Sequence, residues 1–258
     1  MTTTMIDSVT MFRRDLKHAL RYPVMTISGI GTAVLFLLLF VGVFGNALGA
    51  DFLPAGAGRY IDYVAPGVIL MAAGTGTAAT AIKINQDMLE GIIARLRTMS
   101  IARMSVLTGQ VIGSLVRTLL SGILVVLVAV ALGFRPSATP VEYLAAFGVF
   151  AMLTFALTWM AVAFGLATKT VAGANSLTLI LQFLPLISSA FLPTDSMPAG
   201  VAWFAEHQPY TPIIETLRGL LMGSGIGDSA WWALAWCVVL AAGGFFWSRA
   251  LYNRPRGA

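Results

Sequence analysis

The chain has 258 residues, of which 58% are hydrophobic and only 10% are charged. A soluble domain is typically about half apolar and about a quarter charged. This chain cannot bury so much apolar surface in its own core, so the composition indicates a protein for which the lipid bilayer serves as solvent. The single cysteine excludes an internal disulfide.

The first predicted element is an amphipathic helix over residues 4–22. Its apolar residues recur at spacings of one, three and four, and its charged residues occupy the rest of the helical circumference. We expect this helix to end near Pro23 and to lie in the cytoplasmic membrane interface. Packing on a soluble partner is a compatible alternative. The residues expected at that surface are Phe12, Arg13, Arg14 and Lys17.

Six long stretches almost free of charge follow, and each predicts a transmembrane helix. A helix needs about 20 residues to cross a hydrocarbon core of about 30 Å. The runs are continuously apolar and lack the alternation of membrane strands. The first run is too long for the core of a cleaved signal peptide. The predicted spans are 24–46, 63–83, 108–132, 142–167, 172–192 and 229–249.

The distribution of positive charge predicts the orientation of these spans. With an even number of spans, both termini lie on one side, which carries twelve Lys and Arg against three on the other. Cytoplasmic loops carry the excess of positive charge. We therefore expect both termini in the cytoplasm, and the basic excess indicates contact with anionic lipids of the cytoplasmic (inner) membrane rather than with nucleic acid.

A charged segment, Asp87–Ser105, lies between the second and third predicted spans on the cytoplasmic side. It predicts a helix over residues 86–99. Leu89, Ile92, Ile93 and Leu96 form an apolar face, and Glu90, Arg95 and Arg97 lie outside it. Docking to a soluble partner and lying on the lipid surface both need such a helix, and the pattern alone favours neither.

A second segment, 197–223, predicts two short helices on the opposite side, before the last span. Pro198 fits a first helical turn, Thr211 fits an N-cap with Pro212 after it, and Gly223 ends the pattern. Both helices are too short to cross the membrane, yet their apolar faces need cover. We therefore expect an extracellular re-entrant helical hairpin.

Several classes of site are absent from the sequence. None of the three lysines follows a glycine, so the chain has no phosphate-binding P-loop. His18 and His207 are predicted on opposite faces of the membrane, which excludes a histidine metal cluster. The eleven acids all fall in loops or at span ends, so paired intramembrane carboxylates of the kind found in proton-coupled transporters are missing too.

A few residues inside the predicted spans are candidates for a transport path. Arg117 either snorkels to the interface or has a polar role between helices. The small residues near the end of the second span allow close helix packing or line a path. Two amides share one face of the fifth span, which Pro185 is expected to kink. The candidate path residues are Gly74, Gly76, Thr80, Arg117, Asn175 and Gln182.

Two separated motifs resemble the permease subunits of type-2 ABC exporters, in particular the daunorubicin-exporter branch. The first motif falls on Pro66, Gly67, Glu90, Gly91, Leu96, Arg97, Thr98, Arg103 and Gly109. The second falls on Phe191, Pro193, Met197, Pro198, Gln208, Pro209, Leu217 and Arg218. The resemblance covers essentially the whole chain.

The resemblance implies an all-α permease that acts as a homodimer or heterodimer on two separate ATPase subunits. ATP and magnesium would be bound by those partners, and this chain would hold no cofactor or metal. The exported substrate would be a lipophilic drug, antibiotic or lipid-like molecule. A stand-alone secondary transporter or channel and a non-transporting membrane scaffold are the alternatives. The implied coupling residues are Asp87, Glu90, Gly91, Arg95, Leu96, Arg97 and Arg103.

Overall fold

The computed structural model describes residues 23–44, 59–92 and 105–253. The regular structure over these ranges is helical. The predicted interfacial helix, residues 4–22, lies outside the described residues. In chain order the α-helices are α1 Pro23–Leu39, α2 Tyr60–Leu89, α3 Ser105–Ala131, α4 Pro140–Ala167, α5 Val171–Phe183, α6 Ala199–His207, α7 Tyr210–Met222 and α8 Ser229–Asn253.

Helix α2 is the centre of the bundle and packs against α1, α3, α4, α5 and α7. Its 30 residues give a length of about 45 Å at 1.5 Å per residue. The helix is longer at both ends than the predicted span 63–83. It ends at Leu89 because Glu90 is the C-cap and Gly91 has a φ of 70°, a left-handed backbone that glycine adopts without steric cost. Residues 86–89, predicted to belong to the cytoplasmic helix, are therefore the last turn of α2.

Helices α3, α4 and α8 lie within a few residues of the predicted spans. Helix α4 begins with a capping box in which Thr139 and Glu142 bond each other's backbone amides, and Pro140 occupies the first turn. Helix α8 packs mainly on α4 and α7. These three helices and α2 are long and apolar enough to cross a membrane.

The fifth element differs most from its predicted span, 172–192. Helix α5 ends at Phe183 and continues as the 3-10 segment Leu184–Ile187, after which the chain turns. Pro185 has no amide hydrogen and cannot continue an α-helical ladder, which accounts for the change at this point. Helix α1 gives way to the π segment Phe40–Phe44, where the described part of this region ends.

The segment before the last helix forms the two predicted short helices, α6 and α7. Helix α7 ends as expected at Gly223, whose φ is 66°. The expected N-cap role of Thr211 is wrong, because Pro209 has a helical backbone and α7 already begins at Tyr210. Thr211 instead donates a hydrogen bond from its Oγ1 to the carbonyl of Ala205, which links α7 back to α6.

Candidate functional site

Each end of α2 makes several polar contacts with neighbouring elements. One end, around Tyr60, lies beside α6 and α7 and is called here the hairpin end. The other, around Asp87, leads into the segment predicted to couple to an ATPase and is called here the coupling end.

At the coupling end, the Asp87 side chain points into the bundle rather than out of it. It is 7% exposed, and its Oδ2 accepts a hydrogen bond of 2.7 Å from Nε2 of Gln110 on α3. This bond joins the last turn of α2 to the beginning of α3, on either side of the connecting segment 90–104. By contrast, Leu89 and Glu90 are exposed at the end of the helix. Asp87 thus fixes the base of this segment, while Leu89 and Glu90 are accessible to a partner.

A second bond at this end ties α2 to α4. The side-chain amide of Asn85 donates to the carbonyl of Gly165 at 3.1 Å and to the carbonyl of Thr168 at 2.7 Å. Gly165 permits this approach, because a Cβ there would lie 2.5 Å from the carbonyl oxygen of Ala81. Asn85 and Gln110 were not singled out from the sequence, since their partners are distant along the chain.

Most of the remaining predicted coupling residues lie outside the described ranges. Gly91 is described, as the left-handed residue that ends α2. Outside those ranges lie Arg95, Leu96, Arg97 and Arg103, as well as Phe12, Arg13, Arg14 and Lys17 of the interfacial helix.

In the middle of α2, the small candidate path residues lie at helix–helix contacts. A Cβ on Gly74 would lie 2.9 Å from the backbone oxygen of Leu181 on α5. A Cβ on Gly76 would lie 2.5 Å from Oγ1 of Thr118 on α3. Thr80 donates a hydrogen bond of 2.6 Å to Ser114 of α3. These positions therefore let α2 approach its neighbours closely.

The side chains of the other three candidate path residues are partly buried or exposed. Arg117 is partly buried on α3. On α5, Asn175 is exposed and Gln182 is partly buried. The structure thus places Gly74, Gly76 and Thr80 at helix contacts. Gln182 also lies at the α2–α5 contact, because its Cα would be 3.2 Å from a Cβ on Gly74, whereas Asn175 is exposed.

At the hairpin end, Arg218 of α7 is a partly buried cation that contacts two other elements. It donates to the carbonyl of Tyr63 at 3.2 Å and to the carbonyl of Ser189 at 2.7 Å, and its guanidinium carbon lies 3.8 Å from the centre of the Tyr63 ring. Burial lowers the pKa of Arg218 from its ordinary value, while Tyr63 and Glu215 act in the opposite direction. An arginine remains charged under such a shift, so these contacts surround a cation.

A polar cluster at the same end joins α2 to the connection between α3 and α4. Asp62 forms an ion pair of 3.3 Å with Arg59 and accepts a bond of 3.1 Å from the backbone amide of Arg135. Ser137 then donates from its backbone to the carbonyl of Leu221 at 3.0 Å and from its hydroxyl to the carbonyl of Met222 at 2.9 Å. The hairpin is therefore held to the connection between α3 and α4 through Ser137, and to α2 through Arg218.

The described residues form two notable cavities. One of about 570 Å³ is almost wholly apolar and lies between α4 and α8, where Phe155, Trp159 and Phe245 line it. The other, of about 470 Å³, lies between the hairpin and α8, where Glu206, Glu215 and Trp232 line it. Within the part of the chain that the structure describes, no group of three or more His, Cys, Asp or Glu side chains is placed to hold a metal.

This arrangement defines a multi-pass, all-helical membrane protein in which the described polar side chains mainly join helices to one another. Residues 8–222 match the family model described as "ABC-2 type transporter", and the chain belongs to that family. The resemblance inferred from the two motifs is confirmed.

The chain is also similar to permeases of drug-resistance systems. It is 23% identical over 242 residues to "Daunorubicin resistance ABC transporter permease protein DrrB1" of Streptomyces coeruleorubidus, covering 93% of this chain and 82% of that protein. It is 27% identical over 219 residues to "Probable doxorubicin resistance ABC transporter permease protein DrrC" of Mycobacterium tuberculosis, covering 83% of this chain and 78% of that protein. The chain is accordingly a permease subunit that works in an ABC transporter system with an ATPase partner.

Proposed function

We propose that the chain exports a lipophilic drug, antibiotic or lipid-like molecule across the cytoplasmic membrane, driven by a separate ATPase that binds ATP and magnesium. The family match supports this proposal most directly, and the similarity to daunorubicin and doxorubicin resistance permeases indicates the substrate class. The apolar outer surfaces of α3 and α8 suit a protein whose substrate partitions into the bilayer.

The proposed topology has six spans, with both termini in the cytoplasm. Four helices have the required length and composition. Helix α5 and its 3-10 continuation would reach about 27 Å, close to the thickness of the hydrocarbon core. Helix α1 and its π segment give 22 helical residues in all, from Pro23 to Phe44. The hairpin α6–α7 would then lie on the extracellular side, dipping into the outer leaflet.

The proposed coupling surface begins at the exposed end of α2 and continues through Arg95, Leu96, Arg97 and Arg103. Exposed Leu89 and Glu90 support it, because an apolar side chain beside a charged one suits a protein interface. Asp87 has a different proposed role, which is to hold the base of the segment through Gln110. The interfacial helix, with Phe12, Arg13, Arg14 and Lys17, is proposed to contact lipid and the same ATPase.

Transport in sealed membrane vesicles tests this proposal. Vesicles that contain the permease and its ATPase should accumulate a fluorescent anthracycline when ATP and magnesium are added, and omitting either protein should abolish accumulation. Absence of ATP-dependent accumulation across a panel of lipophilic drugs, antibiotics and lipids would contradict the proposed function.

Charge reversal tests the coupling surface separately. We expect Glu90→Lys, and Arg95→Glu with Arg97→Glu, to abolish transport and ATPase pull-down together, because like charges at a docking surface can cost several kcal/mol. Membrane abundance should be unchanged, since all three substituted positions fall outside the proposed spans in the sequence. Normal ATPase binding and transport by both variants would show that the segment lies on the membrane surface instead.

A homodimer or a heterodimer with a related permease is proposed as the working form. One six-helix unit would have to enclose a path for a large solute alone. Cross-linking in native membranes should therefore give a permease dimer, and recovery of monomer alone would contradict this part of the proposal.

A further inference from the structure

The end of α5 is an interrupted helix whose carbonyl groups are bound by side chains from other elements. Tyr210 of α7 donates from its hydroxyl to the carbonyl of Leu181 at 2.8 Å. Gln208 donates from its amide to the carbonyl of Ile187. A helix that ends in an apolar environment must satisfy such carbonyls, because each unpaired one costs free energy. The hairpin therefore supplies donors that replace the missing helical hydrogen bonds.

Arg218 extends this set of donors to the turn that follows. One guanidinium joins three separate parts of the chain: its own helix α7, the turn at Ser189, and the first turn of α2 at Tyr63. It donates along its edge to two carbonyls and places its face against the Tyr63 ring at 3.8 Å. A planar fork that can also stack is particular to arginine, and a lysine ammonium cannot reproduce it.

The close packing of α2 on this turn supports the same assignment. A Cβ on Gly67 of α2 would lie 2.6 Å from Cβ of Ala190, so the turn lies directly against the helix. The backbone amide of Ser189 also lies 3.4 Å from Oγ1 of Thr211 on α7. The turn 188–191 is thus held between α2 and α7, and Arg218 on α7 donates to the turn at Ser189 and to α2 at Tyr63.

We propose that Arg218 is a positioning residue for transport, which holds the turn 188–191 against α2 and the hairpin so that the three segments keep their contact throughout the transport cycle. This inference rests on the proposed function. Arg218 acts through the segments that it joins, and no contact between Arg218 and the transported molecule is required.

The first test is Arg218→Lys, assayed for drug accumulation in vesicles that contain the ATPase. We expect the maximal transport rate to fall about tenfold or more, because a small misplacement of positioned groups costs rate steeply, while the half-saturating drug concentration changes little. Arg135→Lys is the matched control, because Arg135 is exposed at the same end of the bundle, and it should transport normally. An unchanged maximal rate in Arg218→Lys would overturn the inference.

The second test replaces the contact between the turn 188–191 and α7 with a disulfide bond. In a Cys237→Ala background, which is free of cysteine, the pair Ser189→Cys and Thr211→Cys places two thiols across the joined segments. Oxidation should leave transport intact when Arg218 is present and should restore it to Arg218→Lys, and reduction should remove that rescue. Loss of transport on oxidation with Arg218 present would overturn the inference, because it would show that the contact must open.

The extent of cross-linking gives a readout that needs no substrate. With Arg218 present, the disulfide should form to the same extent with and without ATP and magnesium, and Arg218→Lys should slow its formation. Cross-linking that falls when ATP is added would overturn the inference. If these cross-linking results hold while unmodified permease with its ATPase moves no drug, the proposed function fails and the positioning contact stands.

Discussion

Helices α2 and α8 are both long enough and apolar enough to cross a membrane, yet their surroundings differ sharply. Most of α2 is buried, and its buried residues include Asp62, Thr77, Thr80, Asn85 and Asp87. Helix α8 instead exposes many of its large apolar side chains, among them Trp231, Trp232, Val238, Val239, Phe246 and Trp247.

The difference shows which residues hold a membrane helix in the middle of a bundle. Lipid tails are as apolar as leucine, so hydrophobicity does not drive one membrane helix against another. Small residues that allow close approach and polar residues that bond across helices do so instead. Helix α2 has both kinds along its length, whereas α8 presents much of its surface as apolar side chains suited to lipid.

The largest expected effect on stability comes from replacing a buried glycine of α2 with a residue that has a larger side chain. Gly74→Val on α2 would place Cβ 2.9 Å from the backbone oxygen of Leu181, and a backbone atom cannot move away as a flexible side chain can. We expect a loss of about 1–3 kcal/mol in folding free energy. Thermal unfolding of the purified permease in detergent measures it.

The matched control for this substitution is Gly243→Val on α8. Apart from its chain neighbours and the backbone of α8, no atom lies within 4 Å of a Cβ built there, so the melting temperature should change little. Equal losses of folding free energy in the two variants would show that Gly243 of α8 is packed as closely as Gly74 of α2.

The next effect is at the coupling end. Asp87→Ala removes the acceptor for Gln110 and leaves a partly buried amide without its bond, which costs about 1–3 kcal/mol where the site is fully enclosed and less here. Asp87→Asn keeps an acceptor oxygen and should restore most of the stability. Thermal unfolding measures the stability of both variants, and Glu90→Gln is the control because Glu90 is exposed. An equal loss of stability in Asp87→Ala and Asp87→Asn would contradict the view that Asp87 stabilises the fold through its bond to Gln110.

A smaller effect is expected within the membrane core of α2. Thr80→Val keeps the shape of the side chain and removes the 2.6 Å hydrogen bond to Ser114. Hydrogen bonds between membrane helices average about 0.6 kcal/mol in double-mutant cycles. A double-mutant cycle of Thr80→Val with Ser114→Ala should give a coupling energy of that order. A coupling energy indistinguishable from zero would show that this bond does not stabilise the packing of α2 on α3.

The smallest effect is expected on the exposed face of α8. Val239 is 58% exposed, so Val239→Leu changes a side chain that contacts little of the protein. Exposed substitutions usually change stability by less than about 0.5 kcal/mol. A clear shift of the melting temperature would indicate that a second protein surface covers this face.

The sequence predicted the helices better than it predicted their contacts. Local signals accompany the end of α3, where Gly133 turns the chain, and the start of α4, where Pro140 follows Thr139. The inward direction of Asp87 could not be read from the sequence, because Gln110 lies 23 residues away and belongs to another helix. Arg218 belonged to a recognised motif, but its three-way contact depends on a turn that was predicted as helix.

The buried polar side chains of α2 also bear on how the protein enters the membrane during synthesis. Asn85 and Thr80 find their partners on α4 and α3, which the ribosome makes only after α2 is complete. Until those helices are made, Asn85 and Thr80 lack these interhelical partners, and polar residues in a membrane helix disfavour its stable insertion. We therefore expect α2 to settle in the bilayer together with the two helices that follow it, so that a truncation after residue 92 leaves it incompletely inserted.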